Sequence, residues 1–332
     1  MTIRLATALL MVVLVFGLGF PHAFGDSSPR GVLVRDLRPY GFPDFARVHH
    51  VSDYTDLQFL SDHILLVVIN ERAWDKPEEP LNTDQPTSRL LLFDLDQGKL
   101  IKTAEYVVEK FSGSVLATNH GQFVLLNGEG VHPCSEELVC GRPYATEGPI
   151  RILPGGTRLL AGGNSQSELI LLDASTMQIL RRPAPQNIRM GLMSGTLLDG
   201  REIISDEVVA DTAGGSSKEM QVEKTGGGLL YRIKVTADYE TTLVANQSGS
   251  RFCALEESYT RWNALVNFLD IDNTRPHNFA RVRVFDTNSG KEFFEMNWDP
   301  RPSQNVPKPA LSPDGHKLAL IRHSELDVFE IP

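Results

Sequence analysis

The chain has 332 residues, 41% of them hydrophobic and 22% charged, with a formal net charge of −10. That apolar share excludes a disordered or fibrous chain and is enough for a buried core. An acidic body repels phosphate backbones and anionic lipid, which argues against nucleic acid and membrane surfaces as partners.

The N-terminus reads as a targeting segment. Arg4 supplies a positive start, residues 5–20 carry no charge and are almost wholly apolar, and Pro21 breaks the run. Ala23 and Gly25 are small residues at the two positions a signal peptidase reads. The apolar run falls short of the ~20 residues that cross a bilayer comfortably. Residues 1–25 are therefore expected to be a signal peptide cut near Gly25-Asp26. The mature chain is then secreted or periplasmic and does not insert in a membrane; an uncleaved N-terminal anchor is the alternative. Residues 26–332 are expected to form one domain, because closed all-β folds run this long as a single unit.

Along the mature chain, a cluster of turn formers followed by a short apolar run keeps returning. It reads LSDHILLVV at 60–68, TNHGQFVLL at 118–126, LPGGTRLLA at 153–161, LDGREII at 198–204, QSGSRFCA at 247–254 and LSPDGHKLAL at 311–320. Each is the pattern of a hairpin between two strands. A second element follows several copies: an alternating strand, an acid, a tight turn and another strand. It reads LLLFDLDQGK at 90–99, LILLDASTMQ at 169–178 and VRVFDTNSGK at 282–291. Asp94, Asp173 and Asp286 hold the same place in each and are expected to cap the turn through side-chain to backbone hydrogen bonds.

Together the two elements make four antiparallel strands per repeat. Turn-to-turn spacings of about 35 to 65 residues bracket the period of propeller blades. The fold class is all-β, with six blades, or seven if the stretch 134–150 hides a degenerate one. The last repeat stops after its third strand, at 326–332, whereas 31–37 (GVLVRDL) is a strand with no repeat of its own. Pairing 31–37 with the C-terminal blade would close the ring and remove two exposed sheet edges.

The SPDGHKLAL segment at 312–320, with VRVFDTNSGK at 282–291, resembles the repeats of WD-repeat-like and YVTN-type bacterial β-propellers. In that family a Ser-Pro-Asp-Gly turn leads into an inner strand, and a Val-x-Asp-x-x-x-Gly-Lys hairpin forms the outer pair. The resemblance implies a fold and not an activity. It is sharp in the last two repeats; the Trp-Asp and Gly-His signatures of true WD repeats are missing.

Three polar insertions, 71–88, 211–228 and 270–280, each fall between the second and third strands of a repeat. In a propeller that connection opens on one face, where loops on a rigid scaffold commonly carry function. Trp74 lies in the first insertion and Trp262 just ahead of the third, and these are the candidate ligand-contact residues. Trp298 sits by a Pro-rich link.

Of the three cysteines, Cys134 and Cys140 are expected to form a local disulfide in an exported chain, and Cys253 to be a buried free thiol. His132, Cys134 and Cys140 could otherwise ligate zinc, although a fourth ligand is not at hand. Asn246-Gln-Ser is a formal glycosylation sequon.

No nucleophile elbow, Walker loop or His-Glu-x-x-His pair occurs, and the adjacent His49 and His50 would point to opposite faces of a strand. The leading expectation is a non-catalytic, monomeric propeller without cofactor that binds a protein, peptide or glycan through its insertion-bearing face. The alternative is a propeller hydrolase or lactonase holding a divalent metal, calcium for instance, in the central channel. Glu129, Asp206, Glu256, Asn127 and Asn263 are conceivable contributors to such a site.

Overall fold

The computed structural model describes residues 31–42, 55–70, 87–107, 114–117, 121–127, 130–144, 150–152, 157–161, 170–181, 196–198, 201–206, 218–224, 229–235, 239–259, 277–298, 309–322 and 324–332. The chain enters with β1 (Gly31–Asp36) and a single 3₁₀ turn (Arg38–Tyr40). The first sheet follows: β2 (Thr55–Phe59), β3 (Ile64–Asn70), β4 (Thr87–Asp94) and β5 (Lys99–Val107). The second has β6 (Ser114–Ala117), β7 (Phe123–Asn127) and β8 (Gly130–Cys134); the third has β9 (Ile150–Ile152), β10 (Arg158–Ala161), β11 (Ile170–Asp173) and β12 (Ile179–Arg181).

The fourth sheet contains β13 (Thr196–Leu198), β14 (Arg201–Asp206), β15 (Lys218–Lys224) and β16 (Leu229–Val235). The fifth contains β17 (Tyr239–Ala245), β18 (Arg251–Tyr259), β19 (His277–Asp286) and β20 (Glu292–Trp298). The sixth is β21 (Ala310–Leu311), β22 (Lys317–Arg322) and β23 (Glu325–Glu330), completed by β1 on its outer edge. The chain is all-β, every strand pair is antiparallel, and each sheet runs in sequence order apart from the β1 that joins the last. No helix among the described residues is long and apolar enough to cross a membrane.

The expected partner of the orphan N-terminal strand is the one found. Leu33, Val34, Arg35 and Asp36 stand opposite Val328, Asp327, Leu326 and Glu325. The Leu37 amide extends the pairing to the Ser324 carbonyl at 2.8 Å.

Inner strands such as β3 (ILLVVIN) and β22 (KLALIR) are almost wholly apolar because both of their faces are covered. In β3, Leu65, Val67 and Ile69 pack with Ala319, Ile321, Leu326 and Val328 of the sixth sheet, whereas Leu66 and Val68 pack with Phe123 and Leu125 of the second. The same parity governs three further seams. Val124 and Val131 meet Leu159, Ala161 and Leu172 of the third sheet. Phe252 and Ala254 turn toward Met220, Val222 and Ile233 of the fourth, while Cys253, Val282 and Val284 turn toward Leu318, Leu320 and Phe329 of the sixth. First strands lie beside first strands: β21 against β2, β2 against β6, β6 against β9 and, from the other side, β21 against β17 and β17 against β13.

Two expectations need correction. Residues 211–228 are not one polar excursion, since Lys218–Lys224 is strand β15 with Met220 and Val222 fully buried. Its KEMQVEK alternation carries only two apolar residues, so composition concealed the period. Residues 87–88 and 277–280 likewise belong to β4 and β19. The stretch after β8, a candidate for a separate repeat, folds back on β8 instead through Val131–Tyr144 and Cys134–Cys140 bridges. Pro133 brings no N–H to that pairing and Pro143 stands in the returning segment, which is why the second sheet's fourth strand is reduced to bridges.

Removing residues 31–36 strips β23 of its partner and Leu33 from the core. We expect Tm to fall by on the order of 10 °C, with soluble yield falling too. Thermal melts of the shortened chain that match the full one would contradict this.

Candidate functional site

In an antiparallel meander the connections between strands one and two and between strands three and four emerge at one end of the sheet. The connection between strands two and three emerges at the other. The two ends differ throughout this chain.

The first end, where described, is built of short turns whose capping acids bond within the turn, although Gln247 Nε2 is buried there without a partner. Asp94 Oδ1 accepts from the Gln97 amide at 2.9 Å. Asp173 Oδ1 accepts from the Ser175 and Thr176 amides at 3.0 and 2.9 Å and from both hydroxyls. Asp286 Oδ1 accepts from the Asn288 and Ser289 amides at 3.0 and 2.7 Å. The three acids are turn caps, as their place in the repeat implied. The Ser175 hydroxyl, followed by the Thr176 amide and hydroxyl, holds the Asp173 carboxyl down at about 2. For Asp286, burial pushes up, but the Ser289 hydroxyl and amide outweigh it and the net direction is down.

These turns also bind one sheet to the next. Asn246 Nδ2 donates to the Pro313 carbonyl at 3.0 Å and Arg251 Nη1 to the Gly315 carbonyl at 3.0 Å, joining the fifth sheet to the sixth. The sixth is joined to the first where the Asp314 amide donates to Asp62 Oδ1 at 3.0 Å and Lys317 Nζ to the Asp62 carbonyl at 2.6 Å. Arg35 reaches from β1 to the Gly98 carbonyl, and the Tyr231 hydroxyl donates to the Thr287 carbonyl at 2.8 Å. The approach is tight enough to exclude side chains. Gly315 has φ +81°, and a Cβ there would lie 2.8 Å from Arg251 Cδ and 3.0 Å from Asn246 Nδ2. Asn246 is buried, and its side chain also bonds Ser248, Ser250 and the Arg251 amide. Its sequon is thus a turn scaffold with no amide left for a glycan.

The second end carries the long connections. Residues 71–86, 207–217 and 260–276 each join a second strand to a third, in the first, fourth and fifth sheets. Trp74 and Trp262, the candidate contact residues, lie outside the described residues, as do Glu129, Asn263, His49, His50 and the segment 1–25. At the same end of the sixth sheet, β22 ends at Arg322 and β23 begins at Glu325, with Ser324 at φ 72° between them. Next to it the Arg38–Tyr40 turn seals the seam to the first sheet. Arg89 Nη1 donates to the Tyr40 carbonyl at 2.7 Å, and the Tyr40 ring stands edge-on to Phe93 with centroids 6.0 Å apart. Trp298, the described tryptophan at this end, is half-buried against Leu255 and Ala280.

Glu256, a conceivable metal contributor, is committed elsewhere. It is wholly buried on β18, and it accepts from Arg281 Nη2 at 2.5 Å and Arg283 Nε at 2.6 Å. Arg283 also donates to the Lys234 carbonyl at 2.9 Å, so the cluster lies in the seam between the fourth and fifth sheets. Removing the carboxylate would break both buried ion pairs, a loss of ~3–5 kcal/mol, and leave Arg281 and Arg283 with the more distant Glu295 and Glu292 at 3.7 and 3.6 Å. Sequence reasoning missed this role; the Arg-x-Arg at 281–283 and a Glu directly after the apolar run 252–255 were the available signal.

Asn127 and Asp206 end β7 and β14, in different sheets. Among the described residues no three His, Cys, Asp or Glu side chains gather closely enough to hold a metal ion. Cys134 and Cys140 are disulfide-bonded and so are not zinc ligands. Cys253 is a buried free thiol that burial pushes up to about 12.

No protein-family model matches the chain, and no curated protein matches it. Solved β-propellers are similar to it in fold. The C-terminal WD40 domain of Sif2 is 9% identical, with 92% of this chain and 98% of that one covered and a TM-score of 0.42. The β-propeller domain of Cps50 (Swd1) from Myceliophteria thermophila is 13% identical over 84% and 83% of the two chains, with a TM-score of 0.39. BamB from Moraxella catarrhalis is 10% identical over 85% of each, with a TM-score of 0.33. With TM-scores below 0.5, these likenesses carry no argument about this chain. The blade reading rests on the strand order and seams of this chain.

Two predictions concern the turn end. Because the Asp173 carboxyl is held below its ordinary 3.8, its charge-assisted bonds stabilise the fold above that value and are lost as pH falls toward about 2. Denaturation of Asp173→Asn against the parent should show a stability gap that is constant at neutral pH and closes across that acidic window. A gap independent of pH would refute the assignment. Gly315→Ala should cost ~1–3 kcal/mol by forcing a side chain into left-handed backbone. Asn246→Ala should cost a similar ~1–3 kcal/mol through unmet donors and acceptors. In a glycosylating host, Asn246 should stay unmodified by mass spectrometry.

Proposed function

We propose that the chain is an exported six-bladed β-propeller whose ring is closed by β1 and that acts as a binding module. Its partner, a protein, peptide or glycan, docks on the end bearing the connections 71–86, 207–217 and 260–276. The observation that carries this reading is the inequality of the two ends. One, where described, consists of short turns bonded within themselves and to the turns of the next sheet. The other receives the long strand-two-to-three connections of the first, fourth and fifth sheets. A rigid scaffold presenting variable loops at one end is a common basis of recognition. The chain's acidity points to a partner that is neither nucleic acid nor anionic lipid. A bonded Cys134–Cys140 pair fits an oxidising compartment, the destination that residues 1–25 encode.

A photo-crosslinking side chain placed at position 74 or 262 should capture a partner in the native host, whereas one at Ser175, on the turn end, should not. Equal capture from both ends, or capture from position 175 alone, would reverse the assignment. N-terminal sequencing of the exported protein should begin at Asp26.

A further inference from the structure

The loop between the two bonded cysteines does more than finish the second sheet. Leu138, at its tip, is only 3% exposed and sits against Leu60, Leu66, Val68, Leu90 and Leu92 of the first sheet together with Phe123 and Leu125 of its own. Its carbonyl accepts the Tyr106 hydroxyl of β5, and Glu137 pairs with Lys102 of the same strand. The loop is thus a cover laid by one sheet across the outer part of the next.

The cover is held under opposing tendencies. Leu138 has φ 55°, a left-handed conformation that a branched residue resists. Beyond the Cys140 bridge, the segment is tied back to β8 by the Val131–Tyr144 pair, by the Gly141 amide to the Pro133 carbonyl at 2.8 Å and by the His132 ring with the Gly141 carbonyl at 3.2 Å, with Pro133 contributing no donor. Inside the loop, backbone bonds join Leu138 to Ser135 and Ser135 to Val139, whose carbonyl the Ser135 hydroxyl also meets at 3.5 Å. The covalent link therefore supplies much of what keeps the tip seated. It is also within reach of solutes, since Cys140 is only partly buried and Val139 beside it is 66% exposed.

We propose that the Cys134–Cys140 loop is a redox-gated cover on the seam between the first two sheets. A dithiol reductant transfers two electrons and two protons to the S–S bond, leaving two thiols here and a disulfide on the reductant. The tip then lifts, and the apolar patch around Tyr106, Ala104 and Leu92 opens to solvent. Oxidation reverses the step.

Hydrogen exchange on the full mature chain, with and without dithiothreitol, tests this. Reduction should accelerate exchange by about ten-fold or more in residues 130–144 and 99–107, and leave residues 310–330 unchanged. Leu138→Gly accepts the backbone conformation without strain, keeps the disulfide and removes the plug. In this variant 99–107 should exchange fast even when oxidised, and dithiothreitol should add little there. The proposal is overturned if reduction changes neither segment, or if it unfolds all six sheets together, which would make the bond a staple of the whole fold. It is equally overturned if Leu138→Gly leaves 99–107 protected in the oxidised protein.

Discussion

A four-stranded sheet whose inner strands are apolar on both faces cannot persist in water alone, and this constraint shapes everything else in the chain. β3 and β22 read ILLVVIN and KLALIR, with hardly a polar position on either side. Each needs a neighbour in front and another behind. Face-to-face stacking supplies such neighbours, and the first and sixth sheets supply one another: Leu33 of β1, Leu37 just after it, Phe93 of the first sheet and Val328 of the sixth fall in one cluster. The N-terminal strand that completes the sixth sheet also touches the first through Arg35 and the Gly98 turn.

Apolar faces resist separation but are poor at fixing relative position, because sliding costs them little. The turn end supplies the directional bonds. Gly315 lies wedged under Arg251 and Asn246 while the preceding residue binds Asp62, so the sixth sheet is held from both sides within four residues of sequence. Spending one end of each sheet on such bonds leaves the opposite end with few structural duties. That is where long connections can be accepted without loss of register, and where a binding surface could diversify while the scaffold stays fixed.

Much of this was legible in the sequence for a definite reason. Turn residues at a fixed offset before an apolar run are dictated by backbone geometry, so the six hairpins and the three capping acids stood out at 60–63, 312–316, 94, 173 and 286. The unpaired strand at 31–37 was equally readable, because a missing fourth strand at the other terminus asked for it. What stayed hidden were features that depend on distant neighbours. Strand β15 looked like solvent-exposed chain because its sequence, KEMQVEK, is Lys, Glu and Gln at every position but Met220 and Val222. The irregular edge after β8 followed from two prolines whose effect is felt only once pairing is attempted. The partners of Glu256 lie some 25 residues away across a strand pair, and nothing local announces them.

The buried charges carry the last step of the reasoning. Asp327 is almost wholly buried and bonds Arg322 Nε at 2.5 Å across the β22–β23 hairpin, and Glu256 is gripped by two arginines across β18 and β19. Both acids sit where apolar residues would pack as well or better, since buried ion pairs rarely exceed hydrophobic isosteres in stability. A carboxylate in that position tolerates one strand register, however, and Arg283, bonded also to the Lys234 carbonyl, tolerates one placement of the fourth sheet against the fifth. Repeated sheets of similar pattern could pair with the wrong neighbour or slip by two residues while still burying their leucines. A charge that meets its partner in one arrangement alone penalises those alternatives, and it does so at the seam flanked by two of the three long connections.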